Sequence, residues 1–85
     1  MKYRKKPVVV DAWQFDGTMQ SAESIVTLDD SMEILSSVDG EVFIIIDTLE
    51  GRMTGNPGDL IIRGVKGEFY PCKPDVFSET YELAE

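Results

Sequence analysis

The stretch richest in side chains that can do chemistry runs Arg63-Gly64-Val65-Lys66-Gly67-Glu68-Phe69-Tyr70-Pro71-Cys72-Lys73-Pro74. It interleaves three cations with two aromatic rings and two glycines. Guanidinium and ammonium groups meet phosphate oxygens through charge-assisted hydrogen bonds, and aromatic faces stack on bases. A residue without a Cβ lets a ligand come close to the backbone. Arg63, Gly64, Lys66, Tyr70 and Lys73 are therefore the candidates for holding a small anion. Strand alternation sends Phe69 and Tyr70 to opposite faces, so one ring serves a ligand and the other belongs to the core. Trp13 and Phe15, on one face of an earlier strand, are the candidate second wall of a stacking pocket. Core packing is the competing reading for Trp13, and guarding of sheet edges is the competing reading for the cations.

Much other chemistry is excluded. Histidine is absent and Cys72 is the single cysteine. That removes Ser-His-Asp and Cys-His catalysis, imidazole-ligated zinc and any internal disulfide. Cys72 reads as a small half-buried hydrophobe in a reducing compartment. Gly64-Val65-Lys66-Gly67 spells the GXXG of KH domains, but that loop needs flanking helices and here it joins two strands. Asp29-Asp30 is an adjacent acidic pair at a helix end, which reads as solvated capping rather than a metal site. Neither a nucleophile–base pair nor a ligand set can be assembled, so the expectation is a non-enzymatic protein without metal or cofactor.

The elements that position these residues are mostly strands. Pro7–Phe15 is β-branched and aromatic, and Asp16-Gly17 ends it. Gln20–Thr27 is predicted as a short helix, with Ser21 its N-cap and Ala22, Ile25 and Val26 its apolar side. Strands are predicted over Met32–Ser36, Glu41–Thr48, Arg52–Thr54, Leu60–Arg63 and Glu68–Cys72. Asp39-Gly40, Glu50-Gly51 and Lys66-Gly67 are read as turns, the first as a two-residue hairpin. Asn56-Pro57-Gly58-Asp59 suits a type II turn, since proline fixes φ at its second position and glycine takes the positive φ at its third. Pro74 opens a C-terminal helix at a position where its missing N–H costs nothing. The predicted fold is α+β, a single domain with a small, mostly antiparallel twisted sheet or half-barrel of about five strands. One short helix follows the first strand and another lies at the C-terminal end. Val42, Ile44 and Ile46 point to one side of the central strand, and Phe43 and Ile45 to the other. Either the sheet curls, or its second face meets another subunit, so a homo-oligomer is expected.

At 85 residues the chain supports one thin core and little room for a deep cavity. Eight basic against sixteen acidic residues give a net charge of −8, which argues against general binding to nucleic acid or anionic membrane. The basic start imitates the head of a signal peptide. Its apolar run stops at Asp11, short of the ~7–15 residues an exported leader needs. Val42–Ile46, the longest apolar stretch, cannot span a bilayer. The expected place is the cytoplasm. Charge is also segregated: no base occurs from Pro7 to Gly51, where ten acids fall. The cations gather in the first six residues and in the Arg63–Lys73 hairpin, apart from Arg52. Should the first strand pair beside that hairpin, the two basic segments would form one patch.

Lys6-Pro-Val-Val-Val-Asp-Ala-Trp-Gln-Phe, Thr48-Leu-Glu-Gly-Arg-Met, and Pro57-Gly-Asp-Leu-Ile-Ile-Arg-Gly-Val-Lys-Gly-Glu-Phe-Tyr-Pro-Cys-Lys-Pro-Asp-Val-Phe-Ser-Glu-Thr-Tyr-Glu together resemble a small family of phage and prophage proteins. Its members begin with a KPVxxxAxQ strand and end in a PGDxIIxGVKGEFYPCKPDxFxxTYE block. The resemblance covers most of the chain outside Asp16–Asp47. It implies an accessory protein made in the cytoplasm of an infected bacterial host, where small non-catalytic proteins act by binding. The leading expectation is a counter-defence sponge that sequesters a host nucleotide immune signal, a cyclic nucleotide or a cyclic ADP-ribose type. Nanomolar capture needs about −12 kcal/mol. Three charge-assisted hydrogen bonds and one or two stacks reach that only near the top of their usual range, so a pocket shared between subunits is expected. The alternatives are an acidic inhibitor occluding a host nucleic-acid-binding defence protein, or a minor structural or assembly protein.

Overall fold

The computed structural model describes residues 1–4 and 6–84. Six strands and two helices follow in the order β1 (Asp11–Gln14), α1 (Met19–Val26), β2 (Met32–Ser36), β3 (Val42–Thr48), β4 (Gly51–Gly55), β5 (Leu60–Arg63), β6 (Phe69–Cys72) and α2 (Pro74–Thr80). The chain is a small α+β protein, as its pattern implies. The strands divide into two antiparallel three-stranded sheets, β1-β5-β6 and β2-β3-β4, rather than one sheet of about five. Strand β4 runs beside β6 without a hydrogen-bonded ladder, so the two sheets curve around a shared interior.

The interior follows from alternation. Val42, Ile44 and Ile46 of β3 are buried, and they meet Ile61, Phe69 and Phe15 from the first sheet and Ala22 and Ile25 from α1. Helix α1 therefore plugs the interior with the apolar side expected of it. The chain crosses between sheets after Gly55, where a Cβ would stand 2.9 Å from Ile61 Cδ1; only glycine lets Ile61 pack that closely. The Asn56–Asp59 turn makes the crossing. Gly58 has φ +94° and the Asp59 N–H donates to the Asn56 carbonyl at 2.9 Å, as a type II turn requires.

Local differences from expectation have physical causes. Strand β1 is shorter than Pro7–Phe15 because only Asp11–Gln14 find partners on β5. The cap of α1 is Thr18, not Ser21. The Thr18 hydroxyl accepts from the Ser21 N–H at 3.1 Å, and the Ser21 hydroxyl reaches back to accept from the Asp16 N–H at 3.2 Å. The Thr18 N–H itself donates to the Asp16 carboxylate at 2.9 Å, so Asp16, Thr18 and Ser21 together close the helix start. The β2–β3 connection is not a two-residue hairpin. Ser37 and Glu41 still bond, leaving Val38-Asp39-Gly40 as the loop with Gly40 at φ +83°. The β5–β6 connection repeats this form, with Gly64 bonded to Glu68 and Gly67 at φ +83°. In both, a glycine in the left-handed region closes a three-residue loop.

The second faces of the sheets differ. Helix α2 lies over the outer face of β1-β5-β6, where Ile62 is fully buried and the Tyr70 and Tyr81 hydroxyls stand 3.5 Å apart. On the outer face of β2-β3-β4, Phe43 and Ile45 are half-buried and Leu35 is exposed. No described helix is long and apolar enough to cross a membrane.

Candidate functional site

The ladder β1-β5-β6 decides which candidate residues meet. Asp11 pairs with Arg63, and Arg63 with Phe69; Trp13 pairs with Ile61. Directly opposed residues share a face, so Trp13, Arg63, Phe69 and Asp11 lie on the interior-facing side. The Arg63 guanidinium carbon sits 5.5 Å from the centre of the Trp13 ring, and the Trp13 and Phe69 rings are 6.1 Å apart and tilted by 32°. The hairpin and the first strand do come together as one aromatic and cationic surface.

The other candidates separate from it. Phe15 has no exposed surface and belongs to the core, so it cannot wall a pocket. Phe69 is the core ring of its pair and Tyr70, half-buried, lies on the opposite face, as alternation predicts. Tyr70, however, pairs with Ile62 and therefore faces α2, on the opposite side of the sheet from Trp13. Lys73 follows Cys72 at the far end of β6, roughly 13 Å of strand away from the Arg63 end. A single pocket containing Trp13, Arg63, Tyr70 and Lys73 does not form.

Two carboxylates that sequence reasoning passed over hold the key positions. The Asp11 carboxylate accepts from the Arg63 guanidinium in an ion pair. The Glu68 carboxylate folds over Gly64 and accepts from the Lys66 backbone N–H at 3.1 Å. The space that a glycine opens to a ligand is thus filled by the chain's own anion. The register of the first strand against the hairpin would have revealed Asp11, since alternation alone cannot say which residue lies opposite Arg63.

Several grooves indent the described surface. One of ≈ 690 Å³ lies between Val8–Ala12 and α2, with Phe77, Tyr81 and Glu82 in its wall. A trough of ≈ 510 Å³ separates β1 from α1 and includes Trp13, Asp16 and Ser24. The third, ≈ 340 Å³, lies by Leu49, Glu50 and Tyr70. Among the described residues, none of the three has a lysine or arginine in its wall. Arg63 and Lys66 are instead offered on open surface. Among the described residues, no group of three or more His, Cys, Asp or Glu is placed to hold a metal ion.

Burial, then the neighbouring Tyr81 hydroxyl, raises the Tyr70 phenol well above its ordinary range. Burial likewise raises the half-buried Cys72 thiol, with Asp59 and Asp75 adding to it. The folded chain holds both protons to higher pH than the unfolded chain does. Stability is therefore full below the ordinary thiol and phenol values, about 8.5 and 10, and declines as pH climbs through them. Urea midpoints are expected to fall between pH 8 and pH 11, and Tyr70→Phe to flatten the upper part of that decline. A midpoint unchanged to pH 11 would contradict the raised Tyr70 phenol.

No protein-family model, no curated protein and no solved structure matches the chain. Its class is set by geometry: a small α+β protein whose aromatic and cationic surface is neutralised by its own carboxylates.

Proposed function

We propose that the protein is a non-enzymatic binding protein of phage or prophage origin, made in the host cytoplasm, that captures a small anionic nucleotide and works as an oligomer of identical chains. The observation that carries this reading is the Arg63 guanidinium poised over Trp13, with Phe69 behind it. A base can take the place of the Arg63 guanidinium over the indole while its phosphate draws Arg63 from Asp11 and the Lys66 N–H from Glu68. Displacing two carboxylates costs part of the interaction, which favours a ligand with at least two negative charges over a neutral nucleoside. A host immune signal of the cyclic nucleotide or cyclic ADP-ribose type has that character.

Trp13 is the only tryptophan in the chain, so its fluorescence reports on this surface alone. Titration with a panel of cyclic mono- and dinucleotides and cyclic ADP-ribose is expected to quench it with one of them, and Arg63→Ala to abolish the response. Asp11→Asn frees Arg63 and is expected to tighten binding about tenfold, the worth of ~1.4 kcal/mol. A flat signal, and no heat in calorimetry, with every member of the panel would end the case for nucleotide capture.

The second reading, an acidic inhibitor of a host nucleic-acid-binding defence protein, draws on the acidic run from Pro7 to Gly51. From Pro7 to Gly51 there is no base, and Arg52, next in the chain, is claimed by Glu33 at 2.6 Å and Asp47 at 2.8 Å. That surface presents a negative field with no free cation of its own to interrupt it.

A further inference from the structure

The described part of the leading segment is exposed and unpaired, although Val8–Val10 wall the ≈ 690 Å³ groove beside α2. Residues 1–4 and 6–9 are exposed and lie in no strand or helix, with Tyr3 at 85% and Val9 at 78% exposure. The molecule measures 50 × 24 × 23 Å, whereas its longest strand, seven residues, spans only about 23 Å. Lys2, Arg4, Lys5 and Lys6 give this arm four of the eight bases and none of the acids. The rest of the chain holds four bases against sixteen acids, a formal charge of −12. Yet Val8-Val9-Val10 is a β-branched run leading straight into β1, strand sequence without a strand partner.

The matching edge is on the same protein. Strand β1 is outermost in its sheet. The Phe15 N–H donates to the Asp59 carbonyl at 2.9 Å and its carbonyl accepts from the Gly58 N–H at 2.7 Å, so Phe15 turns both backbone groups toward β5. Period two then sends those of Gln14, Ala12 and Val10 to the open edge. That edge borders the ≈ 510 Å³ trough before α1, and an exposed sheet edge of this kind can take an extended chain as an added strand.

We propose that the arm of a second copy of this chain adds as an antiparallel strand to the free edge of β1, the two copies exchanging arms about a two-fold axis at Val9. With Val9 opposite Val9, the arm's Lys6 faces Ala12, Arg4 faces Gln14, and Lys2 faces Asp16 of the other copy. Strand alternation places those cations on the side where Glu82 lines a groove with Ala12 and Gln14. Hydrogen bonds from Thr18 keep Asp16 ionised to lower pH than usual, so the arm's tip meets a standing charge. Basic arm and acidic body are complementary between copies. The inference deepens the self-association contained in the proposed function and is independent of any ligand.

Sedimentation of the full chain without nucleotide tests it. A dimer is expected at micromolar concentration, weakened about tenfold or more in 1 M salt and in the triple variant Lys2→Glu, Arg4→Glu, Lys6→Glu. Those residues lie outside the core, and circular dichroism verifies that the variant is folded. In a Cys72→Ser background, Val9→Cys is expected to form a disulfide-linked dimer on oxidation. Residues opposed at a non-hydrogen-bonded pair have Cα atoms about 4.5 Å apart, within disulfide range. A monomer throughout overturns both this inference and the self-association it rests on. A dimer that ignores charge reversal and stays uncrosslinked at Val9→Cys overturns arm exchange alone and returns association to the Phe43–Ile45 face.

Discussion

Replacing Phe15 with alanine is expected to cost about 3–5 kcal/mol of folding stability, the usual loss when a fully buried ring leaves a cavity. Phe15 has no exposed surface, and it stands where the first sheet, α1 and the Asn56–Asp59 turn converge. Its neighbours Ile44, Ile46 and Ile61 are also fully buried and held by sheet backbone, so collapse into the cavity is limited. An 85-residue domain has only ~4–13 kcal/mol in total, so Phe15→Ala is expected to sit near the edge of folding at 25 °C. Urea denaturation followed by circular dichroism measures this. Phe15→Leu, which keeps most of the volume, is expected to lose less than half as much. Val76→Ala, at a half-exposed position, serves as the control, within about 0.5 kcal/mol of the parent. A Phe15→Ala loss under about 1 kcal/mol would mean that the ring does not organise the core.

Gly17→Ala is expected to be nearly as damaging, for a different reason. The backbone there has φ +90°, which costs a residue with a Cβ about 1–2 kcal/mol. A Cβ would also stand 2.9 Å from Pro57 Cβ and 3.2 Å from Pro57 Cγ. A proline ring cannot swing aside, so the overlap adds about 1–3 kcal/mol of overpacking. The sum, roughly 2–5 kcal/mol, corresponds to a fall in Tm of about 8 °C or more for a domain of this size. Gly40→Ala isolates the first term: its φ is +83° and nothing lies within 4 Å of the added carbon. Calorimetry of the two variants separates conformation from contact. Equal losses would show that Pro57 yields, and that the Asp16–Thr18 turn is not clamped against the sheet crossing.

Alternation and turn chemistry carried most of the local structure. Leu60–Arg63 and Met32–Ser36 occur at the bounds expected of them, and Pro57-Gly58 makes its type II turn because those residues favour those dihedral angles wherever they sit. Pairing between distant strands was not legible in the same way. That β4 lies beside β6 without a ladder while Ile61 packs against Gly55 is a tertiary arrangement no local pattern encodes. The candidate site shows the same division. That Phe69 and Tyr70 part company follows from period two. That Tyr70 lies on the wrong side of the sheet from Trp13 follows only from the register of β1 on β5. Phe15 and Trp13 differ by two positions and were expected to share a role. Phe15 lies one residue beyond β1, still bonded to Gly58 and Asp59, and its complete burial, in contrast to the half-buried Trp13, separates their roles. Asp11 and Glu68 were missed because an acid beside a base reads as ordinary surface until the partner across the strand is known.

The division into two sheets also sets an order of events. Strands β2, β3 and β4 are consecutive neighbours joined by short loops, so their contacts close early and at small entropic cost. Strand β1 has no such neighbour: Asp11 must find Arg63, 52 positions along the chain. The meander therefore assembles while the tryptophan strand waits for β5. In the native state, that late-joining edge strand should be among the first elements to open to hydrogen exchange, and the surface built on Trp13 opens and closes with it.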